Sequence, residues 1–305
     1  MDLKALLPER FRDRHVSFTR MSVGMSGASV WRVQVGDESF ILKVADPAQC
    51  AERWSANLQV LRLVSEAGVA PRIVHVDEER RAVLSVFIED RSFFSLFANE
   101  DSRNGALATL GHTLRRVHDL PSPPEVRFHD PVEFLRDVWS QVSSWELPSF
   151  VPATVTRMLA ETAPRSGREL VLSHNDVNPT NLIYDGRSLF LLDWDAAGLN
   201  DPLYDLAAVA VFLRFDDDAC RKMIVAHDGA SIDSLPETFV YFRRFIAALC
   251  GTAMLQVSQT PTSAPNEALS LGDLYAQLRS GEVDVRTPAG QRTFALALLR
   301  ASSEL

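Results

Sequence analysis

The sequence predicts an α+β fold in which a small antiparallel sheet with one helix precedes a larger, mainly helical region. Between residues 21 and 89, apolar residues alternate in short runs separated by turn residues, as in paired strands. Beyond residue 89, apolar residues recur mostly at helical spacing. A single hairpin near residue 185 interrupts these helices. We therefore expect an N-lobe over residues 1–88 and a C-lobe over residues 89–305.

The N-lobe begins with a short helix that ends near Pro8. Trp31, Val33 and Val35 alternate before a turn at Gly36, and a strand over residues 39–44 follows. The remaining N-lobe elements are a helix followed by two strands, at residues 48–67, 72–76 and 82–89.

The C-lobe contains a series of predicted helices and no internal repeat. Single helices are predicted at residues 92–98, 105–120, 206–215, 239–257, 271–278 and 291–299. Two further helices are predicted within residues 131–163. We assign the pair within 131–163 to the scaffold of a substrate pocket.

Composition excludes several classes of protein. The formal net charge of −9 argues against general binding of nucleic acids or anionic membranes, both of which need a cationic surface. The 3 cysteines are far apart, so neither a disulfide framework nor a CxxC metal site is expected. We see no signal peptide and no apolar run of about 20 residues that would insert into a membrane. These features predict a cytoplasmic enzyme-sized protein.

The stretch from Leu170 to Leu206 carries the main chemical signal. Two short apolar strands, residues 182–184 and 189–192, flank a turn at residues 185–187. In an antiparallel hairpin, the residue before the first strand lies beside the residue after the second. We therefore expect Asn181 and Asp193 to be neighbours.

The loop before this hairpin adds a third oxygen-bearing side chain. Pro179 disfavours helical backbone at Asn178, so the loop brings Asp176 towards the open end of the hairpin. Oxygen ligands of this kind suit Mg²⁺ with bound phosphates. For any one of these residues the alternative is a polar hairpin rim built from Asx turns, but the spaced set favours a magnesium–phosphate site.

The set resembles the Brenner-type motif of choline/ethanolamine kinases and aminoglycoside phosphotransferases, whose fold is bilobal and protein-kinase-like. The resemblance implies that Asp176 is the catalytic base and that Asn181 and Asp193 hold Mg²⁺. It also implies that His174 braces the loop and that Asp205, in a segment similar to "GDPxxDLA", has a structural role beneath it.

The segment GMSGASVWRV resembles the nucleotide loop of aminoglycoside phosphotransferases, with Gly24, Ser26 and Gly27 near the phosphates. Small residues let backbone N–H groups approach phosphates, although an ordinary surface turn explains two glycines equally simply. Lys43 lies on an otherwise apolar strand face, where an unpaired ammonium group would be costly. It either binds ATP phosphates or lies at a sheet edge, and the later loop favours phosphate binding.

The resemblance leaves the partner of Lys43 open. The family carries a glutamate on the following helix, but the expected position, eleven residues before Gly68, holds Asn57. The nearest acid upstream is Glu52, which we take as the candidate, with an absent partner or one supplied elsewhere as alternatives. Residues 82–89 resemble the hinge strand, whose backbone at Val86, Phe87 and Ile88 would bind adenine; a plain buried strand predicts the same pattern.

The predicted activity is ATP- and Mg²⁺-dependent transfer of the γ-phosphate to a small, cationic alcohol, as in choline/ethanolamine kinases. Only eight positions separate Asp193 from Asp201, too few for a regulated activation segment, so a small molecule is preferred over a protein acceptor. Asp195 either attracts the substrate ammonium group or caps a turn. Aminoglycoside, thiamine or homoserine kinases, a metal-dependent phosphohydrolase and a catalytically silent nucleotide-binding regulator remain alternatives. The sequence does not determine the oligomeric state.

Overall fold

A computed structural model of the chain describes residues 2–21, 27–128, 130–260 and 268–305. The chain divides into two compact units. The first comprises Met1–Arg127, Val171–Leu199 and Ala226–Gly229, and the second comprises Phe128–Leu170, Asn200–Val225 and Ala230–Leu305. The predicted N-lobe, residues 1–88, falls within the first unit together with the hairpin segment. The lobe boundary at residue 88 stays a prediction.

The first unit is organised on a five-stranded antiparallel sheet with strand order β1-β2-β3-β5-β4. Its strands are β1 (Val16–Met21), β2 (Ser29–Val35), β3 (Glu38–Val44), β4 (Ile73–Asp77) and β5 (Ala82–Val86). Helix α1 (Glu9–Arg12) precedes the sheet, and helix α2 (Ala51–Glu66) connects β3 to β4.

The alternation in β2 and β3 gives the sheet one fully buried face. Val33, Phe40 and Leu42 pack there against Leu6 and Phe11, which belong to the two short helical turns at the N-terminus. Those turns therefore close the core on this side. The opposite face carries Ile41 and Lys43, as the alternation predicts.

The predicted hairpin consists of β7 (Leu182–Tyr184) and β8 (Leu189–Leu191), with Leu182 opposite Leu191. Gly186 in its turn has φ 97°, a conformation that glycine adopts without strain. Two backbone hydrogen bonds attach the hairpin to the rest of the unit. Leu191 N–H donates to the carbonyl of Val69 (2.8 Å), and Arg91 N–H donates to the carbonyl of Tyr184 (2.7 Å).

Three more elements complete this part of the chain. Helix α3 (Glu100–His118) follows a short 3₁₀ turn, Phe93–Phe97, and strands β6 (Val171–Ser173) and β9 (Gly198–Asn200) pair with each other. Helix α3 begins five residues before the predicted start at Gly105, because Asn99 caps it by accepting a hydrogen bond from Ser102 N–H (2.9 Å).

The second unit is helical. Its helices are α4 (Pro131–Val142), α5 (Phe150–Ala160), α6 (Pro202–Phe212), α7 (Asp217–Asp228, of which the residues up to Val225 belong to this unit), α8 (Glu237–Ser258), α9 (Leu271–Ser280) and α10 (Pro288–Glu304). Helix α8 is central, because α4, α5, α6 and α10 all pack against it. A Cβ atom on Gly251 would lie 2.8 Å from Leu299 Cγ and 2.9 Å from the Ala295 carbonyl oxygen, so the glycine permits the close approach of α8 and α10.

Helix α8 extends two residues before and one residue beyond the predicted apolar helix at residues 239–257. By length and composition α8 would suffice to cross a membrane, because an 18-residue window within it has a mean hydropathy of 1.2. However, 67% of this window is buried inside the protein. The core helix of a soluble protein has the same length and composition, so these two properties of α8 are weak evidence for membrane insertion. The predicted α+β class, with a small antiparallel sheet and a mainly helical remainder, is confirmed.

Candidate active site

A cavity of about 230 Å³ lies in the first unit between the sheet and the hairpin. Lys43, Asn181, Asp193 and Asp195 are among the residues that line it. Most of the remaining wall is apolar and includes Val30, Ile41, Val83, Phe87, Ile88, Ile183 and Leu191. A largely apolar pocket with a cluster of charged groups at one side is the usual form of a small-molecule site.

Asp176 is held by two neighbouring asparagines. Its Oδ1 accepts a hydrogen bond from Asn178 Nδ2, and its Oδ2 accepts one from Asn181 Nδ2, both at 2.9 Å. The Asn181 amide also donates to the Asp176 main-chain carbonyl (2.9 Å). Each carboxylate oxygen thus has a fixed donor, which sets the orientation of the carboxylate.

His174 connects this loop to the end of the hairpin. The imidazole is fully buried, and its Nε2 lies 2.8 Å from the Leu192 carbonyl oxygen. Its Nδ1 accepts a hydrogen bond from Asp176 N–H at 3.2 Å. A carbonyl oxygen can only accept, so Nε2 must be the donor, and the hydrogen-bond network assigns the proton to Nε2. The ring also packs against Trp194, with centroids 4.6 Å apart.

Burial and charge act in opposite directions on the two key carboxyls. Burial raises the pKa of Asp176, and the nearby Asp193 carboxylate adds to this, while hydrogen bonds from Asn178 and Asn181 oppose it. Burial would also raise the pKa of Asp193, but attraction to Lys43 outweighs it and holds that pKa below its usual value.

Lys43 forms two ion pairs across the pocket. Its Nζ lies 2.7 Å from Asp193 Oδ1 and 2.8 Å from Asp195 Oδ2. Burial alone would lower the pKa of Lys43, but the two carboxylates outweigh it and raise the pKa above its usual value. The ammonium group is therefore charged and fixed within the cavity.

The predicted metal ligands fit a hard divalent cation. The Asn181 amide nitrogen is used by Asp176, so the carboxamide oxygen of Asn181 would be its ligand atom. Leu192 N–H donates to the Asn181 main-chain carbonyl (2.8 Å), which brings the end of the hairpin beside Asn181. Asp193 follows Leu192 and would contribute a carboxylate ligand there. Two oxygen ligands suit Mg²⁺, which keeps several waters and binds substrate phosphates. No cluster of three or more His, Cys, Asp or Glu suited to a metal occurs among the described residues.

The predicted hinge has one amide available to a ligand. Val86 N–H donates to the Arg72 carbonyl (2.9 Å), and Phe87 N–H donates to the Ser39 carbonyl (3.1 Å). Ile88 N–H has no such partner in the part of the chain that the structure describes. All three residues line the cavity, so Ile88 is the backbone donor that a planar ligand would meet.

Comparison with known proteins decides the family. The model of the phosphotransferase enzyme family, APH, matches residues 17–238. The chain belongs to this family. It is a phosphotransferase enzyme.

Local sequence similarity and overall structure agree with this assignment. Protein LicA of Haemophilus influenzae (strain Rd) is 43% identical over 44 residues, 14% of this chain and 16% of that protein. A choline/ethanolamine kinase family protein from Mesorhizobium loti has a TM-score of 0.61 at 20% identity, covering 93% of this chain and 92% of that one.

Two further solved structures share the fold. Choline kinase LicA from Streptococcus pneumoniae has a TM-score of 0.60 at 15% identity, covering 93% of each chain. The GDP complex of aminoglycoside 2'-phosphotransferase-IIIa has a TM-score of 0.64 at 14% identity, covering 97% of this chain and 95% of that one. The kinase-like fold inferred from the sequence is confirmed, and the identity of the acceptor is left open.

Further predicted site residues are those of the nucleotide loop and Asp205. Gly24 and Ser26 fall outside the described residues. Gly27 is described, and a Cβ atom there would lie 1.8 Å from Asp46 Oδ2. Asp205 is fully buried in the first turn of α6 in the second unit, and its role beneath the catalytic loop stays a prediction.

The structure does not bring Glu52 to Lys43. Glu52 is exposed in the first turn of α2, and within the described ranges the ion pairs of Lys43 are those with Asp193 and Asp195. Asp195 contacts Lys43 at 2.8 Å, and its predicted role in attracting substrate or capping a turn stays a prediction.

Two residues of the site were missed in the sequence. Asn178 holds the Asp176 carboxylate, and its place two residues after Asp176 and three before Asn181, in an Asx-rich loop, is a signal that could have identified it. Asn57 lines the cavity with its Nδ2 buried. The signal in the sequence was that Asn57 stands at the position where the family carries its helix glutamate.

Proposed function

We propose that the chain transfers the γ-phosphoryl group of ATP to a hydroxyl of a small, cationic alcohol of the choline/ethanolamine type. The observation that carries this proposal is the convergence of Lys43, Asp176, Asn181 and Asp193 around one loop and one pocket. Phosphoryl transfer requires charge neutralisation and an aligned acceptor rather than covalent chemistry by the protein.

Each side chain has a separate role in the proposed reaction. The Lys43 ammonium binds phosphate oxygens, and the Asp176 carboxylate, oriented by Asn178 and Asn181, accepts the proton of the acceptor hydroxyl. Mg²⁺, held by Asn181 and Asp193, supplies charge neutralisation on the phosphates when bound.

The backbone near Ile88 supports the proposed nucleotide. Its free N–H suits a purine ring nitrogen, and the apolar wall of the cavity suits the two faces of the base. Two solved neighbours are nucleotide complexes, a LicA with AMP and an aminoglycoside 2'-phosphotransferase with GDP. A nucleotide in this cavity is consistent with the shared fold.

Charge supports a cationic acceptor. The net charge of −9 favours the approach of an amine or quaternary ammonium compound. The local similarity to LicA of Haemophilus influenzae points in the same direction, because the solved LicA of Streptococcus pneumoniae is a choline kinase by name.

The buried aromatic residues give weight to a second acceptor class. A quaternary ammonium group is bound best by an open aromatic cage. The candidate rings are all buried in packing, namely Trp194, Tyr204, Tyr241, Phe242 and Phe245. A polyamine acceptor of the aminoglycoside type needs carboxylates rather than such a cage, so it is the alternative substrate class.

A phosphate-transfer panel tests the proposal. The purified chain is incubated with ATP, Mg²⁺ and one of choline, ethanolamine, thiamine, homoserine, kanamycin or glucose, and both ADP and the phosphorylated product are measured. Asp176→Asn keeps the shape of the side chain but removes the base, so kcat should fall roughly 10²- to 10⁴-fold. Asp137→Asn, the same exchange at an exposed position of α4 outside the cavity lining, is the matched control.

Transfer to choline or ethanolamine supports the first acceptor class, and transfer to kanamycin alone supports the second. The proposal fails if no amino-alcohol or aminoglycoside is phosphorylated, or if Asp176→Asn retains the wild-type rate. We retain cytoplasmic location, absence of nucleic-acid binding and absence of membrane insertion as parts of the proposal.

A further inference from the structure

The helix that faces Lys43 presents no acid to it. Among the described residues, those of α2 that line the cavity are Trp54, Asn57, Leu58 and Leu61. Glu52 is exposed and outside this lining. The neutral surface of α2 therefore offers no counter-charge for a partly buried ammonium group, which is costly without one.

Asn57 is the polar residue at the centre of this surface. Its Nδ2 is buried and has no hydrogen-bond partner in the described part of the chain. A buried amide N–H without a partner is destabilising, and an ammonium group, which is itself only a donor, does not relieve it. Asn57 thus places a neutral side chain on this surface, and neither its amide nitrogen nor its uncharged oxygen supplies the counter-charge that Lys43 requires.

The hairpin side of the cavity provides the missing charge. Asp195 Oδ2 lies 2.8 Å from Lys43 Nζ, within a short 3₁₀ turn over Trp194–Ala196. The same turn is attached to α2, because Arg53 Nη2 donates to the Asp195 main-chain carbonyl (3.3 Å). Asn175 Nδ2 donates to the Ala196 carbonyl (3.1 Å), which connects this turn to the catalytic loop.

We propose that Asp195 is the positioning residue for Lys43 and replaces an acid on α2 at position 57. Asp193 also contacts Lys43, but it is the proposed metal ligand and serves the phosphates, which leaves Asp195 as the carboxylate dedicated to the lysine. This inference rests on the proposed nucleotide-binding role of Lys43 and explains how the site works without the usual helix glutamate.

Moving the charge tests this assignment. Asp195→Asn removes the carboxylate with little change of shape, and Asp195→Asn combined with Asn57→Glu places a carboxylate on the helix instead. Glu52→Gln is the matched control, since it removes an exposed acid from the same helix. The Asp195 side chain is 39% exposed, so a neutral replacement is tolerated; Asp195→Ser is the second neutral variant if the first does not fold.

Two readouts separate positioning from general damage. In nucleotide-free protein, labelling of Lys43 by an amine-selective reagent is quantified by peptide mass spectrometry. We expect it to be several-fold faster in Asp195→Asn and to return to the wild-type rate in the double variant. In an ATP hydrolysis assay without acceptor, kcat/KM for ATP should fall roughly tenfold in Asp195→Asn and recover in the double variant.

The proposal is overturned if Asp195→Asn leaves the labelling of Lys43 unchanged, if Asn57→Glu does not restore it, or if Glu52→Gln has the same effect. The labelling of Lys43 is measured without nucleotide, so its result does not depend on ATP binding. If the labelling rates of the variants change as expected while the wild-type protein neither binds nor hydrolyses ATP, the proposed function fails and the positioning role of Asp195 stands.

Discussion

Replacing His174 by Phe tests whether this residue braces the catalytic loop. The substitution keeps an aromatic ring against Trp194 but removes both ring nitrogens. Two groups then lose their partners, the Asp176 N–H and the Leu192 carbonyl. An unpaired buried polar group costs about 1–3 kcal/mol, and both groups are partly accessible, so we expect a loss of about 2–4 kcal/mol.

This loss is large enough to measure directly. For a chain of 305 residues, whose entropy of unfolding is about 0.6 kcal/mol/K, it lowers the apparent melting temperature by roughly 3–6 °C, measured by calorimetry. The Asp176 carboxylate also loses its support, and kcat should fall roughly 10- to 100-fold, since small displacements of a reacting group have effects of this size. The KM for ATP should stay within about threefold, because the ion pairs of Lys43 do not involve His174.

His112→Phe is the matched control, because His112 is exposed on α3 and the change should alter stability by less than about 0.5 kcal/mol. The bracing role is refuted if His174→Phe melts within about 2 °C of wild type and keeps its kcat. A raised KM for ATP with unchanged kcat would equally contradict it.

Two further changes test the packing and the hairpin. Gly251→Ala should destabilise the protein by about 1–3 kcal/mol, because its Cβ would lie 2.8 Å from Leu299 Cγ. Gly105→Ala, with open space around it on α3, should instead stabilise the protein by up to about 1 kcal/mol. Equal denaturant midpoints for the two variants would refute the close approach of α8 and α10. Asp185 accepts hydrogen bonds from Arg187 N–H (2.8 Å) and Ser188 N–H (2.7 Å), and these hold its pKa below the ordinary value of 3.8. Because the folded pKa is lowered, the stabilisation is present above pH 3.8 and is lost as the pH falls below it. Denaturation at several pH values should therefore show Asp185→Ala less stable than wild type near neutrality, with the difference shrinking in acid; a constant difference would contradict this assignment.

Local sequence signals predicted the hairpin well. Its strands, its turn and the placement of Asn181 beside the end of the second strand follow from alternation and turn chemistry over about a dozen residues. The same holds for the apolar sheet face and for Lys43 on the opposite face, because both follow from the two-residue period of a strand.

The partner of Lys43 could not be predicted in this way. The ion pair with Asp195 joins residues 152 positions apart, so no periodicity or spacing signals it. The start of α3 was misplaced for a different reason. Gly105 was read as a boundary, but the cap at Asn99 and the burial of Leu107 and Leu110 favour a longer helix despite the low helix propensity of glycine.

The two backbone hydrogen bonds that attach the hairpin have a practical consequence for dissecting the protein. A fragment ending at residue 88 would expose the Val69 carbonyl that Leu191 N–H otherwise satisfies. It would also lack Asp193 and Asp195, leaving the lysine of β3 without counter-ions. A minimal piece retaining the cavity must therefore splice residues 171–199 onto the N-terminal segment, for example through a short flexible linker after α3.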